Sequence, residues 1–395
     1  MRISAHARAI EPSLTLAVTA TAQQLRAQGV DVIGFGAGEP DFDTPEHIKR
    51  AAEQALARGA TKYTPVPGTV ELRAAVAQEL AQVHGIDFTP KQVMISCGAK
   101  HSLYNLFTAL LDVGDEVIIP SPCWVSYPEL VKMAGGTPVI LPTSPDDGYQ
   151  IDERALRAAM TPKTRAILLN SPCNPTGASY RNDTIEGVAR ALRDRANDDT
   201  YLITDDIYRR LTYVGSYVSI VREFPEVAER TIIVDGVSKA YAMTGWRIGY
   251  TAGPADLIEA MSNLQSQSTS NPAAVSQAAA LAALTGPQDA VETMRLEFDR
   301  RRRAMIQALR AIDGVEVHEP EGAFYAFQNL SAFIGRGGIA DDLGLAQHLL
   351  EVGHIALVPG SGFLAPGFAR LSYATSMSKI EEGLRRLKKT LETLT

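Results

Sequence analysis

The sequence predicts an α/β fold in which a mostly parallel sheet is sandwiched by helices, followed by a smaller α+β unit. Three observations lead to this. Between residues 93 and 254, seven short β-rich runs alternate with amphipathic helical stretches. The runs are apolar on both faces, as parallel strands covered by helices on both sides must be. After Thr285 the order changes to a long charged helix, then strands and helices in another arrangement.

The strand candidates, in order, are VMIS (93–96), EVIIP (116–120), PVILP (138–142), AILLNSP (166–172), YLITDD (201–206), TIIVDGV (231–237) and RIGYTAGP (247–254). Stretches such as AKHSLYNLFTALLDVGD and TIEGVARALRDRA lie between them, with apolar residues three and four apart and Gly or Asp punctuation. The later unit reads as a charged helix, GAFYAFQNL, a helix at LGLAQHLLEVG, strands IALVPG and ARLSYA, and a terminal helix from Met377 to Leu394. No repeat or low-complexity linker separates the two parts, so continuous helix rather than a tether crosses any boundary. The expected division is a large domain over 45–290 and a small domain formed by 1–44 and 291–395.

Composition narrows the function classes. With 38 Lys and Arg against 45 Asp and Glu, the net charge is −7, which favours neither nucleic acid nor an acidic membrane surface as partner. The one basic run, DRRRR at Asp299 to Arg303, opens a helical pattern and is expected to be a solvated or salt-bridged helix face. Met261 to Gln288 lacks charged residues but is rich in Ser, Gln and Asn, which suits buried protein surface rather than a membrane span. Three scattered cysteines form no CxxC pair, so a reducing cytoplasm is the expected location, and the N-terminus reads as mature protein.

Chemistry in an open α/β sheet belongs at the carboxyl ends of the strands. Asp205 and Asp206 end one strand, with Tyr208 close behind; either aspartate could equally cap a helix. Asn170 and Asn174 flank the end of another, before the turn NPTG. Gly98 opens a helix whose free N–H groups and positive dipole end would seat a phosphate. Lys239 follows TIIVDGV, with Arg247 eight residues on. A lysine in apolar surroundings loses proton affinity and can condense with an aldehyde, although a lone Ser-Lys pair is also what a surface loop shows. Taken together, these groups are the partners that pyridoxal phosphate requires: a lysine, an aspartate, a tyrosine, and a helix N-terminus with an arginine.

GVSKAYAMTGWRIG (236–249) resembles the pyridoxal-phosphate attachment signature of class I aminotransferases. GEPDFDTP (38–45), KYTPVPGTVELR (62–73), SPCWVSYPE (121–129), NSPCNPTG (170–177), ITDDIY (203–208), EGAFY (321–325) and ARLSYATS (369–376) resemble the family's other signatures, in its order. The resemblance spans nearly the whole chain and is greatest to the bacterial aspartate aminotransferase subgroup. It implies the fold-type-I scaffold of pyridoxal-phosphate-dependent transferases and a homodimer with shared active sites.

Position by position, the resemblance implies that Lys239 bonds to pyridoxal 5′-phosphate and then carries the proton at the substrate's Cα. Asp205 would hold the pyridine nitrogen protonated, and Tyr208 and Asn174 would bond the phenolic oxygen. Trp124 would stack on the ring, in a loop context although tryptophan is more often core. The phosphate would fall to Gly98, Ala99, Lys100 and Arg247, with Tyr63 and Asn271 from a second subunit. Gly236 stands where some relatives carry a phosphate-binding serine, so that contact is either missing here or supplied by Ser238. Arg370 would grip the α-carboxylate, helped by Asn174 and Gly38, with GEPDFDTP closing over it. Trp124 also borders the substrate, and no metal is called for.

In the bacterial subgroup a lysine at the position of Lys100 and a threonine at that of Thr15 read the distal carboxylate, and both residue types are present. The implied reaction is therefore ping-pong transfer of an amino group from L-aspartate to 2-oxoglutarate, giving oxaloacetate and L-glutamate. Glu11 stands near the point where prephenate-using members are thought to need a basic residue, which weighs against prephenate. The alternatives on the same scaffold are a prephenate, aromatic or neutral amino acid transaminase, or a lyase. An amino acid-sensing regulator would be expected to carry a DNA-binding module before residue 12, and a nucleotide site lacks both GxGxxG and GxxxxGK[ST].

Overall fold

The computed structural model describes residues 2–8, 10, 14–195 and 199–394. A seven-stranded sheet runs in the order Val93–Ser96, Gly249–Ala252, Thr231–Gly236, Tyr201–Asp205, Thr164–Asn170, Glu116–Ser121 and Thr137–Pro142. All seven expected runs lie in it. Every adjacent pair is parallel except the two made by Gly249–Ala252, which is antiparallel to both neighbours.

Alternating side chains of these strands enter different cores, which is why the runs read as continuously apolar. Val117, Ile119, Leu168 and Ile203 pack with Leu103, Leu106 and Phe107 of helix Ala99–Leu110. Ile118, Ile167, Leu169 and Leu202 pack with Ile185, Val188 and Leu192 of helix Asn182–Arg195. A third core, beside Val93, Ile95 and Ile233, is closed by helices Val70–His84 and Ala274–Thr285. The uncharged stretch 261–288 falls largely in two helices, where the Gln265 amide donates to the Val66 and Ile95 carbonyls at 2.9 Å. Among the described residues, no helix is long and apolar enough to cross a membrane.

A four-stranded antiparallel sheet, Val358–Pro359, Phe368–Ser372, Tyr325–Asn329 and Glu316–Val317, packs against helices Asp289–Arg310 and Met377–Glu392. Ile33 and Phe35 join that core, and Ile33–Gly34 pairs in parallel with Ile355–Ala356. The basic run is paired as expected, but only half of it is solvated. Arg300 and Arg303 face outward, while the Arg301 and Arg302 side chains are 7% and 4% exposed. Successive helical residues turn by about 100°, so a run of four arginines cannot stay on one face. Arg302 bonds Asp299 at 2.8 Å and Glu319 at 2.9 Å.

Candidate active site

The parallel strands end at a common edge, and a cavity of about 420 Å³ opens there. Its wall includes Gly38, Ala99, Lys100, Trp124, Asn174, Asp205, Tyr208, Lys239, Arg247 and Arg370, ten of the residues expected from sequence. Asp205 ends Tyr201–Asp205, in register with Asn170 at the end of Thr164–Asn170. Arg247 reaches the same edge for the opposite reason. Gly249–Ala252 runs antiparallel, so its beginning rather than its end lies there, and Gly249 pairs with Ser96 and Gly236.

Gly98 caps helix Ala99–Leu110 with φ +90°, a conformation side-chain-bearing residues rarely adopt. A Cβ there would run into the Arg247 guanidinium, which donates to the Thr244 carbonyl at 2.8 Å and the Cys97 carbonyl at 3.3 Å. Helix N–H groups and a guanidinium thus share one corner, a ready seat for an anion. Ser238 lines the cavity. Gly236 admits no side chain, because a Cβ would lie 2.9 Å from the Ile248 carbonyl oxygen and 3.0 Å from Gly249 Cα.

Lys239 Nζ donates to the Gly38 carbonyl at 2.5 Å. Burial lowers its pKa to about 8, with repulsion from Arg370 adding to the effect and Glu39 opposing it. The Asp205 carboxyl is raised by burial to about 6; the Tyr127 hydroxyl, 2.7 Å from Oδ2, and the Ile207 N–H act against that rise. Asp206 points away from the cavity, accepting from Thr204 Oγ1 at 3.2 Å and facing His84 at 3.6 Å. Alternation along the strand separates the two carboxylates. Lys100 lies over the Trp124 ring at 4.9 Å, and its pKa is lowered by the protein packed around it and then by Arg247.

Arg370 is the largest fully buried side chain of the protein's described residues. Its guanidinium donates to Asn174 Oδ1 at 2.8 Å and the Gly36 carbonyl at 2.9 Å, while Nε has no partner. Tyr325 and Phe363 flank it at 4.3 and 4.9 Å. A buried guanidinium left with free donor capacity at a cavity wall suits a carboxylate ligand.

Sequence reasoning assigned no role to Tyr127 or Tyr325, which also line the cavity; Tyr325 bonds the Tyr208 hydroxyl at 2.8 Å. Their signal was available, since both fall inside quoted motifs. Two expected residues lie elsewhere on this chain. Tyr63 is 90% exposed, and Asn271 donates to the Pro272 carbonyl at 2.8 Å. The Thr15 side chain and all of Glu11 lie outside the described residues.

The aminotransferase class I and II model matches residues 30–387. An aspartate aminotransferase of Geobacillus stearothermophilus is 45% identical over 393 residues, 99% of each chain. An aspartate/prephenate aminotransferase of Thermus thermophilus is 45% identical over 98% of each. Among solved structures, the aspartate aminotransferase of Rhizobium meliloti superposes with a TM-score of 0.96 at 41% identity over all of both chains. That of Thermus thermophilus with maleate gives 0.93 at 45%, covering 99% of this chain and 100% of the other. The architecture is that of the fold-type-I transferases, and with a family match reaching across both sheets and the cavity between their elements, the chain belongs to the class I and II aminotransferases.

Proposed function

We propose that the protein transfers the amino group of L-aspartate to 2-oxoglutarate, giving oxaloacetate and L-glutamate, by a ping-pong mechanism that uses pyridoxal 5′-phosphate. The observation that carries this is a single cavity bordered by an amine of lowered pKa, a buried carboxylate and a buried guanidinium with spare donors. Relatives of equal length named aspartate aminotransferase support the substrate.

The residues suit the cofactor. Lys239 would bond it, Asp205 would face its ring nitrogen, Tyr208 and Asn174 its phenolic oxygen, and Trp124 its ring. The corner formed by Gly98, Ala99, Lys100 and Arg247, with Ser238, would take the phosphate. When bound, the cofactor supplies a carbonyl that condenses with amines and a ring that withdraws electrons from the neighbouring C–H bond. The protein's part is positioning and proton handling. Lys239 Nζ, neutral at moderately alkaline pH, takes the proton from the amino acid's Cα. Asp205 would hold a proton at the cofactor's ring nitrogen, and Tyr127 favours the carboxylate's charged form. Arg370, with Asn174 and Gly38, would hold the α-carboxylate and so fix the amino acid's orientation toward Lys239. Lys100 and Thr15 would read the distal carboxylate.

A homodimer belongs to this reading, with Tyr63 and Asn271 of the partner subunit completing the phosphate site. The exposure of the Tyr63 ring supports it. Helix Asp289–Arg310 begins at the expected division, which supports domains of 45–290 and of 1–44 with 291–395. Three free cysteines are in keeping with a cytoplasmic location.

Purified protein is mixed with single amino acids and 2-oxoglutarate, and the products are identified while the cofactor's absorbance is followed. Aspartate should give oxaloacetate and glutamate; reaction with phenylalanine or alanine but not aspartate would refute the assignment. Relatives named aspartate/prephenate favour one second reading, tested by offering prephenate as acceptor.

A further inference from the structure

The cavity's front wall includes Gly36 to Glu39, a strip with no regular secondary structure. Arg370 holds its Gly36 carbonyl and Lys239 its Gly38 carbonyl. An acid that bonds the Arg370 guanidinium shares it with this strip, so the strip's position bears on how the acid is held. Contacts elsewhere fix that position.

Two anchors lie just beyond it. Thr44 Oγ1 donates to the Ala242 carbonyl at 2.7 Å and accepts from Trp246 Nε1 at 2.9 Å. Nearer the strip, Arg301 donates to Asp41 Oδ1 at 2.7 Å and, through Nε, to Glu297 Oε1 at 2.9 Å. The Arg301 guanidinium lies 5.0 Å from the Phe42 ring and 5.7 Å from that of Phe298. Those two rings meet edge to face at 5.3 Å. Phe298 then meets Phe324 at 5.5 Å, and Phe324 meets Tyr208 at 5.5 Å. A run of ring contacts thus leads from Arg301 to the cavity wall.

We infer that Arg301 is a positioning residue for substrate binding: by holding Asp41 and Phe42 on helix Asp289–Arg310, it sets how closely the 36–39 strip closes over the bound acid. This rests on the cavity being the substrate site. Only an arginine serves both anchoring contacts, because a lysine offers a point charge and no plane to lie against two rings. Arg301 touches neither the cavity nor a reacting atom, so its effect should fall on binding more than on the chemical step.

The test uses the full-length protein carrying its cofactor, with Arg301→Lys and Asp41→Asn. Both should raise KM for aspartate and for 2-oxoglutarate on the order of tenfold, while kcat changes less than about threefold. Backbone amide exchange without substrate should quicken across 36–44 and stay unchanged in helix Ala99–Leu110. Asp41→Asn leaves the helix that bears Arg301 intact and decides the matter where Arg301→Lys fails to fold. Unchanged exchange over 36–44 in Asp41→Asn, or a fall in kcat with KM unaltered, overturns the inference. Absence of turnover with any dicarboxylate in the unsubstituted protein would refute the proposed substrate instead, and the exchange measurement would still judge Arg301.

Discussion

Lys239 offers the most direct measurement of the electrostatics described above. Its pKa falls from the ordinary 10.5 to about 8, so the neutral amine at pH 7 becomes about 300 times more abundant than for a solvated lysine. The neighbours fix the sign of two further shifts. Arg370 disfavours the ammonium, so Arg370→Gln should move the Lys239 titration upward; Glu39 favours it, so Glu39→Gln should move the titration down. Cofactor-free protein would be treated briefly with formaldehyde and cyanoborohydride across pH 6 to 11, and methylation of each lysine read by peptide mass spectrometry. Lys239 should reach half its maximal rate near pH 8, well below the range of an ordinary solvated lysine. A half-point for Lys239 above about 9.5, or two variants that move in the same direction, would refute the reasoning.

Three other outcomes follow from the same geometry. Arg370→Lys replaces a fork held by Asn174 and Gly36 with a single point charge; the loss should be about 2–5 kcal/mol of carboxylate binding, seen as a KM rise of at least ~30-fold, and a rise under threefold would count against the clamp. Tyr127→Phe removes the hydroxyl that favours the charged Asp205 carboxylate, so its pKa rises further. The acidic limb of the pH–rate profile should then move to higher pH, with activity lost sooner as pH falls, and an unmoved limb would exclude this role. Gly236→Ser forces a Cβ against the Ile248 carbonyl and should destabilise the protein by about 1–3 kcal/mol, read as a lower melting temperature by calorimetry.

Which parts of this molecule were legible in its sequence depends on how local the cause is. Parallel strands buried on both faces must be apolar throughout, so the seven runs stood out, and the residues just beyond them could be placed at one edge by topology alone. Helix starts were equally local, as at Gly98. Asp205 and Asp206 mark where this reasoning stops: both end the same run, and strand alternation sends one to the cavity and the other toward His84. Tyr127 shows the same limit. It follows Trp124 by three residues, a spacing that brings their rings within 5.3 Å, yet its hydroxyl matters only because Asp205 arrives from a strand 78 residues later.

The basic run carries the argument furthest. Read as four like charges it suggested a solvated or salt-bridged face; the ion pairs are there, but burial of half the run is not a local property. The helical turn splits the run, placing Arg301 against Asp41, 260 residues earlier, and against a ring that continues toward Tyr208. Nothing in the spacing of DRRRR identifies that partner, since Asp41 belongs to a motif whose glycine and proline mark a turn. The contact becomes legible only when the chain's first segment has folded onto its long helix. An arginine that is 6% exposed is costly to desolvate, and Asp41 supplies, with Glu297, the charge that offsets that cost. The chain just beyond the cavity's 36–39 strip is therefore tied at a point where displacement is expensive.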